Sequence, residues 1–355
     1  MSKSKIYFGP GPAMLPQEVL QGTADAVLDY NHSGISILSI PHRGRAFAVI
    51  LEETKARVLA ICKLDANEYE LLWLQGGGRQ QFAMIPMNFL APEKTAGFID
   101  SGHWAKDAMD TAAFYGNTVS LCSSASDDYR YLPEWPKEIP DNLSYLYLTS
   151  NNTIYGTQWP EIPTCDTPLV VDMSSDIFSC ARDYARCDLF FAVAQKNIGP
   201  AGVTLVVIRK GMLKRQVREL PGILSYSAQV KANSLLNTPP VSAIYTCLLN
   251  LRWIQEQGIN SLFEANKKKA EMIYTELDSN PIFQPIVSPE SRSMMNVVFR
   301  MMDKSHESAF LDFCASRNIE GIAGHRSVGG FRASLYNAVS VDDVAQLVSA
   351  MREFS

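Results

Sequence analysis

The stretch "FAVAQKNIGPAGVT", residues 191–204, sets one lysine, Lys196, between an uncharged apolar run and a turn rich in glycine and proline. "LFFAVAQ" leads into the lysine, and "GPAGVTLVV" leads away into a second apolar run. Apolar runs without alternation read as strands buried on both faces, as in a parallel or mixed sheet between helices. A lysine at the end of such a strand lies where α/β folds place their ligands. A solvated surface position is the ordinary reading of a single lysine. Here the apolar flanks would strip water from the amine and lower its pKa, and a neutral amine attacks carbonyls. Schiff-base chemistry follows, with pyridoxal phosphate as the commonest protein-bound aldehyde.

Outward from this stretch, similar runs recur at 69–74 ("YELLWL"), 95–99 ("TAGFI"), 143–148 ("LSYLYL"), 168–171 ("PLVV"), 188–192 and 203–208. Helical periodicity fills 17–30 and 45–61 before the first run, and "HWAKDAMDTAAFYG" after the second. The alternation predicts an α/β fold: a large domain with a mostly parallel, seven-stranded type of sheet between helices. After about residue 240 the pattern changes. A helix starts at Pro239-Pro240, a basic helix carries "EANKKKAEMIYTEL", and 294–301, 307–317, 331–336 and 341–354 read as strand, helix, strand and helix. These predict a smaller α+β C-terminal domain. The expected division is 16–255 for the large domain, and 256–355 with residues 1–15 for the small one. "FGPGPAMLP" (8–16) is too rich in Gly and Pro for regular structure and reads as an extended arm.

Bulk properties narrow the function. The chain has 355 residues and a net charge of -5, with no electrostatic footprint for nucleic acid or an anionic membrane. No apolar run approaches the roughly 20 residues that span a bilayer. The N-terminal stretch lacks the apolar centre of a signal peptide, and seven cysteines without a CxxC pair read as reduced thiols. Both point to the cytoplasm. The five histidines show no metal-site spacing.

A pyridoxal site needs partners for its lysine. "PLVVDMSSD" puts Asp172 at the end of a buried strand, 24 residues before Lys196, so both would reach one rim of the sheet. A carboxylate there keeps a pyridine nitrogen protonated; a turn or helix cap is the alternative reading. "LWLQGGGRQQF" offers three glycines and Arg79 where a strand passes into a helix, the geometry of an anion cradle or simply of a turn. Trp104 in "SGHWAKDA" is either a stacking face or core packing. Thr153 in "TSNNTIYGT" follows a further strand, within reach of a ring hydroxyl.

Together these residues resemble the class V, fold-type-I pyridoxal phosphate enzymes, and more narrowly the phosphoserine aminotransferase family. The resemblance runs through nearly the whole chain: "FGPGPAMLP", "IPHRGRAF" (40–47), "GGGRQQF", "SGHWAKDA", "NNTIYGT", "VVDMSS", "AQKNIGPAGVT", "NTPPVSAIY" (237–245) and "GHRSVGGFRASLYNA" (324–338). It implies that Lys196 forms the aldimine, Asp172 partners the ring nitrogen, Trp104 stacks on the ring and Thr153 contacts its hydroxyl. Gly78, Arg79 and Gln195 would hold the phosphate. Asn237 and Thr238 would reach the cofactor phosphate of a neighbouring subunit, which implies a homodimer with shared active sites. Arg332 would bind the substrate α-carboxylate, its planar fork suiting that group. His42, Arg43, His325 and Arg326 would form a cationic pocket for the distal anion.

The implied reaction moves an amino group from L-glutamate to 3-phosphohydroxypyruvate, giving O-phospho-L-serine and 2-oxoglutarate in serine biosynthesis. Phosphohydroxythreonine of pyridoxine biosynthesis offers the same handles. The segment "DLFFAVAQK" and the polar loop "SSASDD" (123–128) depart from the family pattern. Competing readings are an alanine–glyoxylate type of transaminase, a non-catalytic dimer and a cysteine desulfurase. The last needs a mobile cysteine near the C-terminal arginine, where this chain reads "GHRSVGGFR".

Overall fold

Among the described residues seven strands form one sheet, of which six are the buried runs of the sequence and the seventh is an exposed edge. The computed structural model describes residues 5–354; residues 1–4 and 355 of the expected small domain lie outside them. In chain order the first half contains β1 (Ile6–Tyr7), α1 (Gln17–Leu28), α2 (Arg45–Cys62), β2 (Tyr69–Gln75), α3 (Gly78–Phe89), β3 (Thr95–Asp100), α4 (His103–Ala112), β4 (Asn117–Ser123) and β5 (Leu143–Thr149). There follow β6 (Leu169–Asp172), β7 (Leu189–Val193), β8 (Val203–Arg209), α5 (Lys210–Leu213), α6 (Tyr226–Lys231), α7 (Val241–Gln257) and α8 (Ile259–Ser279). The chain closes with β9 (Phe283–Pro285), β10 (Asn296–Met301), α9 (Glu307–Ser316), β11 (Ile319–Glu320), β12 (Phe331–Ser334) and α10 (Val341–Glu353). The large sheet has the order β2-β8-β7-β6-β5-β3-β4. Only β8 runs against its neighbours; the other pairings are parallel.

Alternate side chains of each strand feed two different cores, because the side-chain period of a strand is two. Phe190 packs with α2 and α7 on one face, and Phe191 packs with α3 on the other. All five residues of β7 are buried, which accounts for its uninterrupted apolar sequence. Helix α2 buries Phe47, Ile50, Leu51, Thr54, Val58 and Cys62, a stripe at helical spacing. It ends where Lys63 takes a left-handed conformation (φ 55) and donates its N–H to the last turn. Trp73 of β2 ties this helix to the sheet through an indole N–H bond to Thr54 Oγ1 at 2.8 Å.

A separate apolar cluster joins α8, α9 and α10 to the antiparallel sheet β12-β10-β9. Ile6 and Phe8 belong to it, and β1 pairs in parallel with β11. The arm then crosses to the large sheet, where Ala13 N–H donates to the Gln195 carbonyl at 2.8 Å. Gly11 lies against Lys196 at φ 129, and a Cβ there would stand 3.3 Å from Lys196 Cγ. Glycine alone meets both demands.

Element ends differ from the expected ones by a few residues. The first helix stops at Leu28, and the expected strand 294–301 begins at Asn296. The sequence reading omits β4, a sheet edge whose residues are all partly or fully exposed.

Candidate active site

The ends of five parallel strands converge on one rim. β2 runs into the glycines before α3, β3 into Trp104 of α4, β5 toward Thr153, β6 ends on Asp172, and β7 leads to Gln195 and Lys196. A cavity of about 310 Å³ opens there. It is lined by Gly78, Arg79, Trp104, Thr153, Asp172, Gln195 and Lys196, all of which the sequence singles out. Gly77, Phe82, Thr149, Asn151, Ser174, Ser175 and Val193 complete the wall. Apart from Gly77, one of the three glycines of "LWLQGGGRQQF", the sequence reading does not single these out. The visible signal for the polar ones was their place in "TSNN" and "VDMSS", directly after buried strands.

Lys196 Nζ donates to Thr153 Oγ1 at 2.9 Å. Burial lowers its pKa from 10.5 to about 8; Asp172 works against this and Arg332 with it. Asp172 is 6% exposed and accepts a bond from Ser174 N–H at 2.8 Å. Burial raises its pKa above the ordinary value, opposed by the Ser174 bond and by Lys196. A cation placed against the carboxylate would draw it down again. Arg332 is buried on β12 and donates through Nη1 to the Thr153 carbonyl at 3.0 Å. Thr153 therefore joins the lysine to the arginine, one through its hydroxyl and one through its backbone.

The cavity suits an aromatic aldehyde that carries an anionic group. The first N–H groups of α3 lack intrahelical acceptors and open toward an anion. The Arg79 guanidinium lies 5.4 Å from the Trp104 ring centroid, and its Nε pairs with Asp107 at 2.9 Å. Trp104 Nε1, Thr149 Oγ1 and Gln195 Oε1 are buried without a protein partner among the described residues. Buried polar atoms are nearly always bonded, so three orphans on one cavity wall point to a ligand with polar groups.

The other expected residues lie elsewhere. Asn237 and Thr238 are exposed; Asn237 Nδ2 bonds Gln75 Oε1 at 3.2 Å, and the Thr238 carbonyl accepts from Gln75. His42 is half-buried and Arg43 exposed, on the segment that Ile37 and Phe47 anchor in the core between α2 and α7. None of these four lines the cavity of its own chain. Within one chain, His325 and Arg326 do not line that cavity either. His325 and Arg326 sit on the loop before β12. The His325 ring lies 6.4 Å from that of His103, and its Nδ1 is 2.7 Å from Ser327 Oγ. Burial lowers the His325 pKa, and Arg332, His103 and Arg326 add to the effect. Among the described residues no cluster of three potential metal ligands occurs, and no helix is long and apolar enough to cross a membrane.

The chain belongs to the class-V aminotransferases, whose family model matches residues 6–347. Relatives that it matches end to end include phosphoserine aminotransferases. It is 44% identical over 358 residues to that of Syntrophobacter fumaroxidans, covering 100% of this chain and 99% of the relative. The solved phosphoserine aminotransferase of Bacillus circulans subsp. alkalophilus superimposes with a TM-score of 0.96 at 41% identity, covering 99% of both chains. A pyridoxal-phosphate-bound phosphoserine aminotransferase of Trichomonas vaginalis does so with a TM-score of 0.94 at 34% identity, covering 98% of this chain and 100% of that one.

Proposed function

We propose that this chain is a pyridoxal phosphate-dependent transaminase that exchanges the amino group of L-glutamate with 3-phosphohydroxypyruvate, producing 2-oxoglutarate and O-phospho-L-serine for serine biosynthesis. The observation that carries the reading is the Lys196 amine, made less basic by burial, on one cavity wall with Asp172, Trp104 and Thr153. The phosphoserine aminotransferases that match it end to end supply the substrate class.

When bound, the cofactor supplies an aldehyde carbon that condenses with amines and a cationic ring that draws off electron density. Trp104 would stack on it, Thr153 would meet its hydroxyl, and Gly78, Arg79 and Gln195 would hold its phosphate. Asp172 would hold the proton on the ring nitrogen. Lys196 would take the α-proton of glutamate on Nζ and deliver it to a second carbon rather than back to the first, as a positioned general base does. Arg332 would bind the α-carboxylate bidentately, and His325 and Arg326 would meet the distal anion.

The homodimer belongs to the same proposal. Asn237, Thr238, His42 and Arg43 lie outside their own chain's cavity and would serve the partner subunit's. So does the division into a large cofactor-binding unit, 16–255, and a small one, 256–355 with 1–15; the separate apolar cluster around α8, α9 and α10 supports it. A cytoplasmic location belongs to the same proposal, in keeping with a reaction between small soluble acids.

Spectral titration of the purified protein tests the reading. Glutamate should bleach the visible band of the bound cofactor, and phosphohydroxypyruvate should restore it. Lys196→Ala should abolish both responses and turnover. Restoration by pyruvate or glyoxylate but not by phosphohydroxypyruvate would assign the chain another substrate, and wild-type turnover by Lys196→Ala would remove the lysine from the mechanism.

A further inference from the structure

The loop that carries Lys196 is held by the side chain of the next residue, Asn197, which is 3% exposed. Asn197 Nδ2 donates to the Ile177 carbonyl at 3.0 Å, and Asn197 Oδ1 accepts from the Asn337 backbone N–H at 3.0 Å. Ile177 lies five residues after Asp172, and Asn337 five residues after Arg332. One amide thus touches the segments that follow the carboxylate and the guanidinium of the site.

The contact is part of a buried network. Asn337 Nδ2 donates to the Phe178 carbonyl at 2.9 Å, and Asn337 Oδ1 accepts from Asn266 Nδ2 at 2.9 Å. Asn266 also donates to the Ser179 carbonyl at 3.0 Å. Three successive carbonyls, of residues 177, 178 and 179, are therefore each met by a different asparagine. The middle one, Phe178, is fully buried at φ 58, a conformation that a bulky residue keeps only where its surroundings over-determine it. From the other side Asn250 Nδ2 donates to the Asn197 and Ile198 carbonyls, each at 2.9 Å.

Apolar side chains would pack this junction without the cost of burying amides. A hydrogen-bonded amide network instead favours one arrangement of the segments it joins, even though Asn250 Oδ1 and Asn266 Oδ1 lack partners among the described residues. The joined segments are those that bear Lys196, Asp172 and Arg332. Among the described residues the hydrogen-bond partner of Lys196 Nζ is Thr153, not Asp172, so the placement of amine against carboxylate rests on their loops. We infer that Asn197 is a positioning residue for the transamination, its side-chain amide setting Lys196 in register with Asp172 and Arg332. The inference rests on the roles proposed above for those three residues.

The test labels the full-length chain, stripped of bound aldehyde, with acetic anhydride across a pH series and reads Lys196 acetylation by mass spectrometry. Asn88→Ala is the control, since Asn88 is fully buried in α3 with three comparable bonds and lies outside the network. Asn197→Ala and Asn88→Ala should lose similar thermal stability. Only Asn197→Ala should move the Lys196 labelling midpoint, upward toward the ordinary lysine value. In the loaded enzyme it should lower kcat at least ~10-fold, with a smaller change in KM, as expected of a displaced rather than missing group. Asn197→Ser, a milder change, gives the same readout if the alanine variant does not fold. An unmoved midpoint in the Asn197 variants, or an equal shift in Asn88→Ala, would overturn the inference. Lys196→Ala runs in parallel: turnover retained there would overturn the reading of Lys196 itself, whereas turnover lost there with an unmoved Asn197 midpoint overturns only the positioning role.

Discussion

At the scale of single residues, the charge on Lys196 is set by burial and three charged neighbours. Burial lowers its pKa most, Asp172 raises it, Arg332 lowers it and Asp176 raises it slightly, leaving the amine at about 8. The neutral amine is the reactive form, and its fraction grows as pH rises through that value. In the cofactor-free chain, Asp172→Asn removes the charge that favours the ammonium, so half-maximal acylation of Lys196 should fall below pH 8. Arg332→Leu removes the charge that opposes it, so half-maximal acylation should move above pH 8. Opposite shifts are the expected outcome; shifts of one sign would mean that the two groups do not act on the amine by charge. In the loaded enzyme, Asp172→Asn should also cost a factor on the order of 10² or more in kcat, read from steady-state rates, because the amide cannot hold the ring proton. The residues of this constellation were legible because each follows a buried strand and carries a distinctive group. Ser174, Asn151 and Thr149 were not, since small polar residues after a strand read equally well as turn formers.

At the scale of elements, the approach of α7 to the Lys196 loop depends on two small residues. A Cβ added at Gly199 would meet Cys247 Sγ at 2.5 Å and the Cys247 backbone at 3.4 Å. Gly199→Ala should therefore destabilise the protein by about 1–3 kcal/mol, the usual cost of overpacking. In a Cys247→Ala background the thiol is gone, and the same substitution should cost less by about 1 kcal/mol or more, a coupling typical of residues in contact. Denaturant midpoints of the four proteins would measure it, and an equal cost in both backgrounds would show that the thiol is not what Gly199 accommodates. The legibility of the strands follows the same packing. β7 is buried on both faces and reads as continuous apolar sequence, whereas β4 alternates weakly because it forms the exposed edge. The pairing of β2, first in the sheet by sequence, with β8, the last, is not written in either strand. It arises from register among distant segments, as does the path of the N-terminal arm past Lys196.

At the scale of the whole molecule, the proposed homodimer can be argued from some of the exposed apolar residues. Leu28 is 81% exposed, Leu38 65% and Val49 58%, and Leu236 also projects into solvent. They share segments with His42, Arg43, Asn237 and Thr238. The segments adjoin, since Asn233 bonds Glu52 at 3.2 Å and accepts from Lys55, both on α2. Exposed apolar surface beside polar groups that do not line their own chain's cavity is what an isologous contact with shared sites requires. Complementation tests it. Lys196→Ala removes the amine from a chain's own cavity, while Thr238→Asp would set a negative charge against the phosphate in the partner subunit's cavity. Each variant alone should be inactive. In a mixed dimer one site collects both defects and the other neither. Random reassociation makes about half the dimers mixed with one sound site of two, so about a quarter of wild-type activity should return on mixing. If each site were complete within one chain, every site in the mixture would keep a defect and no activity would return, and a species sedimenting at the 39.4 kDa of a single chain would remove the shared site altogether.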